Sequence, residues 1–229
     1  MRIVFVRHGH PNYELDCLTE VEHLHAEAAA KRLAEEPFTA IHSSTCGRAV
    51  ETAEHIAALH GLPVISHDFM RELSWGPVGD EPIPFNGHPW SIADHMASQN
   101  ETMLVDDWTK LEIFRGSKAI ANVQLVNEGI DRWLAELGYE RDGLYYRVRK
   151  ANADTIAMVS HGGSSSAAIA HLFNLSFPFF CGTVHPDFTA ITIVSFEGEE
   201  GALITPRIEI MNDCRHIAGI DTPPKKTHK

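Results

Sequence analysis

The 229-residue sequence contains no apolar run approaching the ~18 residues that span a bilayer. Its opening stretch, Ile3-Val4-Phe5-Val6, is too short for a secretory signal, which also needs a small-residue cleavage site. The sequence therefore predicts a cytoplasmic protein with no membrane partner. Cysteine is scarce. Cys17, Cys46, Cys181 and Cys214 are scattered, and no pair has C-x-x-C spacing, which argues against a structural zinc or a dithiol redox centre and predicts reduced thiols. Positive charge is also short. Nineteen Lys and Arg face 31 Asp and Glu, a formal net charge of −12 that disfavours nucleic acid as a partner. A small anion could still bind, provided a few well-placed arginines make its pocket locally positive. What remains is an ordinary globular composition, 44% apolar and 22% charged, in a chain long enough to bury a proper core.

Residues 2–6 read as a short buried strand, with Gly9, Pro11 and Asn12 as breakers after it. The spacing predicts a helix over 20–35, ended by Pro37, a strand over 38–42, a helix over 47–60 stopped by Gly61-Leu62-Pro63, and a strand over 63–66. Residues 74–117 are irregular and rich in Gly and Pro, and read as an inserted cap over one end of the sheet. A helix over 118–137 and a small strand over 144–149 follow. Thr155-Ile156-Ala157-Met158-Val159 is a second buried run, leading into Ser160-His161-Gly162-Gly163 and an Ala-rich helix. Residues 189–196 alternate like a strand, with 203–210 pairing to it across the Gly198–Gly201 turn. The tail, 221–229, reads as flexible. This alternation predicts a three-layer α/β/α sandwich with a mostly parallel central sheet, residues 1–220 forming one domain. Ligands in such folds bind beyond the carboxyl ends of the strands. Two buried strands here end in His-Gly, which predicts that His8 and His161 meet in space.

Four segments could carry chemistry. Arg7-His8-Gly9 lies at a strand end, where side chains are aimed into a cleft and glycine allows close backbone approach. His161-Gly162-Gly163 opens a helix, whose free N–H groups suit an anion. Arg48, in Ser44-Thr45-Cys46-Gly47-Arg48-Ala49-Val50-Glu51-Thr52-Ala53, falls in the first turn of a helix. A cation there opposes the helix dipole and is easier to explain if an anion sits at that end. Glu72, in Arg71-Glu72-Leu73-Ser74-Trp75-Gly76, borders the irregular segment. Singly, each is also readable as an ordinary surface residue.

Together the four segments resemble the histidine phosphatase superfamily, the phosphoglycerate-mutase-like proteins. Arg7-His8-Gly9 matches its signature. Ser44 to Ala53 is similar to its Ser-Pro-Leu-x-Arg-Ala-x-x-Thr-Ala motif, with Thr45 in place of proline. Arg71-Glu72-Leu73 with Gly76 is similar to its acid-bearing segment, and Ser160-His161-Gly162-Gly163 to its second histidine. Asn212-Asp213-Cys214-Arg215-His216-Ile217 is a fainter likeness to its late Asn…His-Leu element. The chain departs from the family's Leu-Thr-x-x-Gly-x-x-Gln-Ala, with Glu22 where the glycine stands and His25 where the glutamine stands. After Arg-His-Gly it carries His10, Pro11 and Glu14 rather than the Glu-Ser/Thr and later Asn of the mutases. Lys110 is the one cation between 74 and 114, where mutases use extra cations to hold a substrate carboxylate and second phosphate.

The resemblance implies a phosphomonoester hydrolase acting on a small phosphorylated metabolite through a phosphohistidine on His8. It implies that Arg7, Arg48, a protonated His161 and Gly162 bind the phosphoryl group, and that Glu72 is the acid. It implies no cofactor and no metal. A mutase-type phosphoryl-transfer isomerase is the nearest alternative. Fifteen histidines, with His8/His10 and His23/His25 as close pairs, also suggest a metal-dependent hydrolase. A serine esterase lacks its G-x-S-x-G elbow here, and an inactive binding relative is disfavoured by the intact set Arg7, His8, Arg48, Glu72 and His161. A homo-oligomer is allowed.

Overall fold

The computed structural model describes residues 1–220; the predicted flexible tail lies outside the described residues. In chain order the elements are β1 (Arg2–Arg7), β2 (Pro11–Asn12), β3 (Cys17–Leu18), α1 (Glu20–Arg32), β4 (Ala40–Ser44), α2 (Gly47–His60), β5 (Val64–His67) and α3 (Pro89–Ser98). They continue with α4 (Lys118–Glu136), β6 (Tyr139–Asp142), β7 (Tyr145–Val148), β8 (Thr155–Ser160), α5 (Gly162–Leu172), α6 (Phe177–Thr183), β9 (Ile191–Ser195), β10 (Leu203–Ile204) and β11 (Arg207–Asp213).

Six strands form the central sheet in the order β11-β9-β1-β8-β4-β5. The pairs β1·β8, β8·β4 and β4·β5 are parallel, and β9 runs against both of its neighbours. Strand alternation sends successive side chains to opposite faces, and the two faces hold separate cores. Ile3, Phe5, Ile156 and Met158 pack with Val126, Ile130 and Trp133 of α4 and Ala168 of α5. Val4, Val6, Ala157 and Val159 pack with Ala30 of α1 and Ala53 and Ile56 of α2. This is the three-layer α/β/α arrangement with a mostly parallel sheet.

Several boundaries differ from expectation. The first helix ends at Arg32 rather than 35; Pro37 disfavours helical geometry just before it, and Leu33 turns into the core instead. Residues 203–210 do not act as one strand. Pro206 lacks the N–H a continuous ladder needs, so Leu203–Ile204 pairs with β7 in a second sheet and Arg207–Asp213 pairs with β9. Residues 74–117 hold α3 and short 3-10 turns around their own small cluster of Ile92, Met96 and Phe114. Their ends are drawn together by a Pro77–Ser117 bridge and by Lys118 N–H donating to Gly76 O at 2.9 Å.

Two histidines on the neighbouring strands β4 and β5 make a titratable contact. His42 Nδ1 lies 2.6 Å from His67 Nε2, their rings stacked 4.8 Å apart. Burial, then His67, pushes the His42 pKa from 6.5 down to about 4. Unfolded, this imidazole takes a proton below about 6.5; folded, it does not until about 4. Falling pH therefore favours the unfolded chain across that window. Urea midpoints should drop progressively between pH 6.5 and 4.5, and His42→Asn, which keeps a hydrogen-bonding group, should flatten part of that slope. An identical slope in the variant would place the acid sensitivity elsewhere.

Candidate active site

Strands β1, β8 and β4 run parallel and are adjacent, so their carboxyl ends deliver His8, His161 and the entry to α2 to one place. The rings of His8 and His161 are 4.9 Å apart between centroids, edge to face, and both are buried. The sequence-predicted meeting of the two strand-end imidazoles is thus present.

The His8 tautomer is fixed from both sides. The Gly9 carbonyl can only accept, so His8 Nδ1 carries the proton and donates to it. Arg48 Nε donates to His8 Nε2 at 3.3 Å, so that nitrogen is bare. Burial, then His161, Arg7 and Arg48, hold the His8 pKa well below its ordinary value. The imidazole is therefore neutral at pH 7, with its lone pair turned toward a cation.

Arg48 sits in the first turn of α2. Its Nη1 is paired with the Asp16 carboxylate, and Gly47 N–H donates to the same carboxylate at 2.8 Å. The anion that a cation at this helix start calls for is thus supplied by the chain itself. Asp16 went unnoticed in the sequence. It sits in a tight β2–β3 hairpin at φ 50°, and short turns without periodicity carry little signal. Thr52 was visible only as a motif letter. Its Oγ1 donates to Arg48 O at 2.8 Å and accepts Gly9 N–H at 3.2 Å, tying α2 to the His8 turn.

Arg7 is half-buried, its guanidinium 4.0 Å over the Phe188 ring and Nη1 donating to Pro186 O at 2.6 Å. Its Nε has no partner, and neither does His161 Nδ1, though both are shielded from solvent. Unpaired buried polar atoms are costly, and both belong to groups at the ends of the adjacent strands β1 and β8. His161 Nε2 meets Ser44 Oγ at 2.8 Å. Burial, then Arg48, Arg7 and Arg71, press the His161 pKa well below its usual value. Against the expectation of a protonated His161, burial and three neighbouring cations favour the neutral ring.

Glu72 is half-buried, and its Oε1 accepts N–H groups from Leu73 at 2.9 Å, Gly163 at 3.0 Å and Ser164 at 3.2 Å. The free N–H groups expected at the start of α5 for an outside anion are thus, at Gly163 and Ser164, occupied by this carboxyl group. A Cβ at Gly163 would come within 2.5 Å of Glu72 Oε1, which is why glycine stands there. Burial raises the Glu72 pKa despite those donors and the two arginines. The structure brings together Arg7, His8, Arg48, Glu72 and His161, all five residues expected from sequence. Among the described residues, no group of three or more His, Cys, Asp or Glu could hold a metal ion, and no helix is long and apolar enough to cross a membrane.

Residues 3–85 match the family model of the histidine phosphatase superfamily (branch 1). The fold is shared with solved structures of low identity. The native mycobacterial glucosyl-3-phosphoglycerate phosphatase is 22% identical with a TM-score of 0.63, over 92% of this chain and 98% of that one. Phosphoserine phosphatase from Entamoeba histolytica, solved with 3-phosphoglyceric acid, is 20% identical with a TM-score of 0.60, over 94% and 98%. Alpha-ribazole phosphatase from Shigella flexneri is 20% identical with a TM-score of 0.60, over 93% and 97%. No curated protein sequence matches the chain.

Proposed function

We propose that the chain is a member of the histidine phosphatase superfamily, whose family model matches residues 3–85, and that it is a cytoplasmic phosphomonoester hydrolase of small phosphorylated metabolites, working through a phosphohistidine on His8. One observation carries this reading. A neutral His8, its unprotonated Nε2 beside Arg48 and its ring against His161, shares these strand ends with two buried polar atoms that lack partners, Arg7 Nε and His161 Nδ1. Cationic donors around an uncharged nucleophile suit a tetrahedral dianion.

His8 Nε2 attacks phosphorus as the phosphorus–oxygen bond to the leaving group breaks. Arg7 and Arg48 hold the equatorial oxygens, and His161, charged by the dianion's arrival, adds a further donor. Gly162 belongs to this binding set through its place beside Arg7, whose Cζ and Nε lie 3.6 Å from the point its Cβ would occupy. Glu72, its pKa raised by burial, gives its proton to the leaving oxygen. Water then attacks the phosphohistidine, Glu72 takes a proton from that water, and phosphate leaves with His8 neutral again.

Residues 74–117 act as the cap that receives the organic part of the substrate. An open hollow of about 750 Å³ begins at Trp75, soon after Glu72, and includes Phe85, Asn86, Ser91 and Asp94, with no Lys or Arg among its lining residues. That favours hydrolysis over mutase chemistry, since a substrate carboxylate or second phosphate would find His88 and His95 there but no guanidinium or ammonium. The reading is tested by acid-quench and base-quench trapping during turnover of a labelled aryl phosphate. A base-stable, acid-labile phosphoprotein is expected; a turnover-competent protein that never carries label would refute the intermediate.

Glu72→Gln removes the proton while keeping the acceptor oxygen for the α5 start. Turnover of an alkyl phosphate, whose leaving oxygen needs protonation, should fall about 10²-fold or more. A nitrophenyl phosphate should lose much less. Equal losses for both would move the acid to another group, Asp80 or Glu81 being the next carboxylates along the cap.

A further inference from the structure

Beneath the His8 turn lies a buried carboxyl group that this mechanism does not use. Glu22 and His25 stand on one face of α1, both side chains fully shielded from solvent. Glu22 Oε2 accepts the main-chain N–H of His10 at 2.6 Å. It also lies 2.8 Å from His25 Nδ1, without the alignment of a hydrogen bond. Contact with the turn is tight. A Cβ at Gly9 would sit 3.3 Å from Glu22 Oε2 and 3.2 Å from Glu22 O.

The peptide group involved is decisive. The N–H of His10 and the C=O of Gly9 are the two ends of one planar amide. Its N–H donates to Glu22, and its C=O accepts the Nδ1 proton of His8. A buried acceptor on one end of an amide polarises it and strengthens the acceptor at the other end. Glu22 thus reaches His8 through one peptide bond, and it stands at one of the positions where this sequence departs from its family pattern.

We propose that Glu22 is a positioning residue that orients and polarises the Gly9–His10 peptide, locking His8 in its Nδ1-protonated form and making Nε2 the better nucleophile. The proposal rests on the reading of His8 as the attacking group. It predicts that Glu22 acts on turnover and not on substrate binding, because its side chain reaches the Gly9–His10 turn and His25 rather than Arg7, Arg48 or His161.

The test uses the full chain, with histidine labelled by ¹⁵N. Glu22→Gln retains an acceptor oxygen but loses the charge, and Glu22→Met keeps the length and loses the acceptor. In Glu22→Gln the His8 Nδ1 proton should stay on Nδ1, move upfield as its hydrogen bond weakens, and kcat should fall less than about tenfold. In Glu22→Met the His8 tautomer should become mixed, and kcat on an aryl phosphate should fall about 10- to 100-fold with KM within about twofold. An unmoved Nδ1 proton in the Gln variant overturns the proposal, whether or not the Met variant folds. So does a KM rise that accounts for the loss. The proton signal is read without substrate, so it stands or falls separately from any result that His8 is not the nucleophile.

Discussion

His8→Ala should reduce hydrolysis of an aryl phosphate by about 10⁴-fold or more, to the background of the assay. The expectation follows from what surrounds the imidazole. Its Nδ1 proton is committed to the Gly9 carbonyl, its Nε2 faces Arg48, and its charge is suppressed by burial and neighbouring cations. A group held neutral among cations serves poorly as a general acid or as a structural ion pair. It serves well as a lone pair aimed at phosphorus. The variant should fold normally, because Thr52 and Glu22 hold the Gly9–His10 backbone independently of the ring. Inorganic phosphate should still bind to it, and no labelled phosphoprotein should appear in the quench experiment. Retained turnover with native-like stability would end the phosphohistidine mechanism, leaving at most a water directly attacking an arginine-held phosphate.

The sheet and the site were legible to different depths. Strands β1 and β8 announce themselves as unbroken β-branched runs, and their shared His-Gly ending was enough to anticipate that His8 and His161 meet. The parallel order follows from alternation of strands with helices. The helix over 47–60 was bounded correctly because Gly61 adopts a left-handed conformation that ends it. By contrast, Asp16, Phe188 and Ser44 reach the site through loops or strand ends, where single residues carry no periodicity. Strand β6 was missed because Tyr139–Asp142 is largely polar, exposed in part, and paired only within the small second sheet. The downward push on the His161 pKa is not legible in the sequence for another reason. Sequence proximity says nothing of three arginines converging from separate segments, and it is their summed field with burial that keeps the ring neutral.

That field makes the second large prediction. Arg48→Ala should cost about 10³-fold in kcat/KM, since it removes a fork from the phosphoryl oxygens and leaves the Asp16 carboxylate without its ion-pair partner. Arg48→Lys should recover little of this, because an ammonium cannot reach His8 Nε2, Asp16 and an oxygen together in one plane. The double variant Arg48→Ala, Asp16→Ala should bind anions better than Arg48→Ala alone, isolating the part due to stranded charge. His161→Ala should cost about 10²- to 10³-fold, with a signature of its own. Its pKa is pressed down by burial and by Arg48, Arg7 and Arg71, which favours the neutral ring. A bound dianion pushes that pKa up, so binding draws in a proton. Linkage then requires tighter binding as pH falls. Sulfate, whose own charge is constant near neutrality, should therefore inhibit the native protein more strongly at pH 6 than at pH 8. In His161→Ala that dependence should flatten. A pH-independent sulfate affinity in the native protein would mean that His161 stays neutral throughout, and that the two arginines alone carry the charge of the transition state.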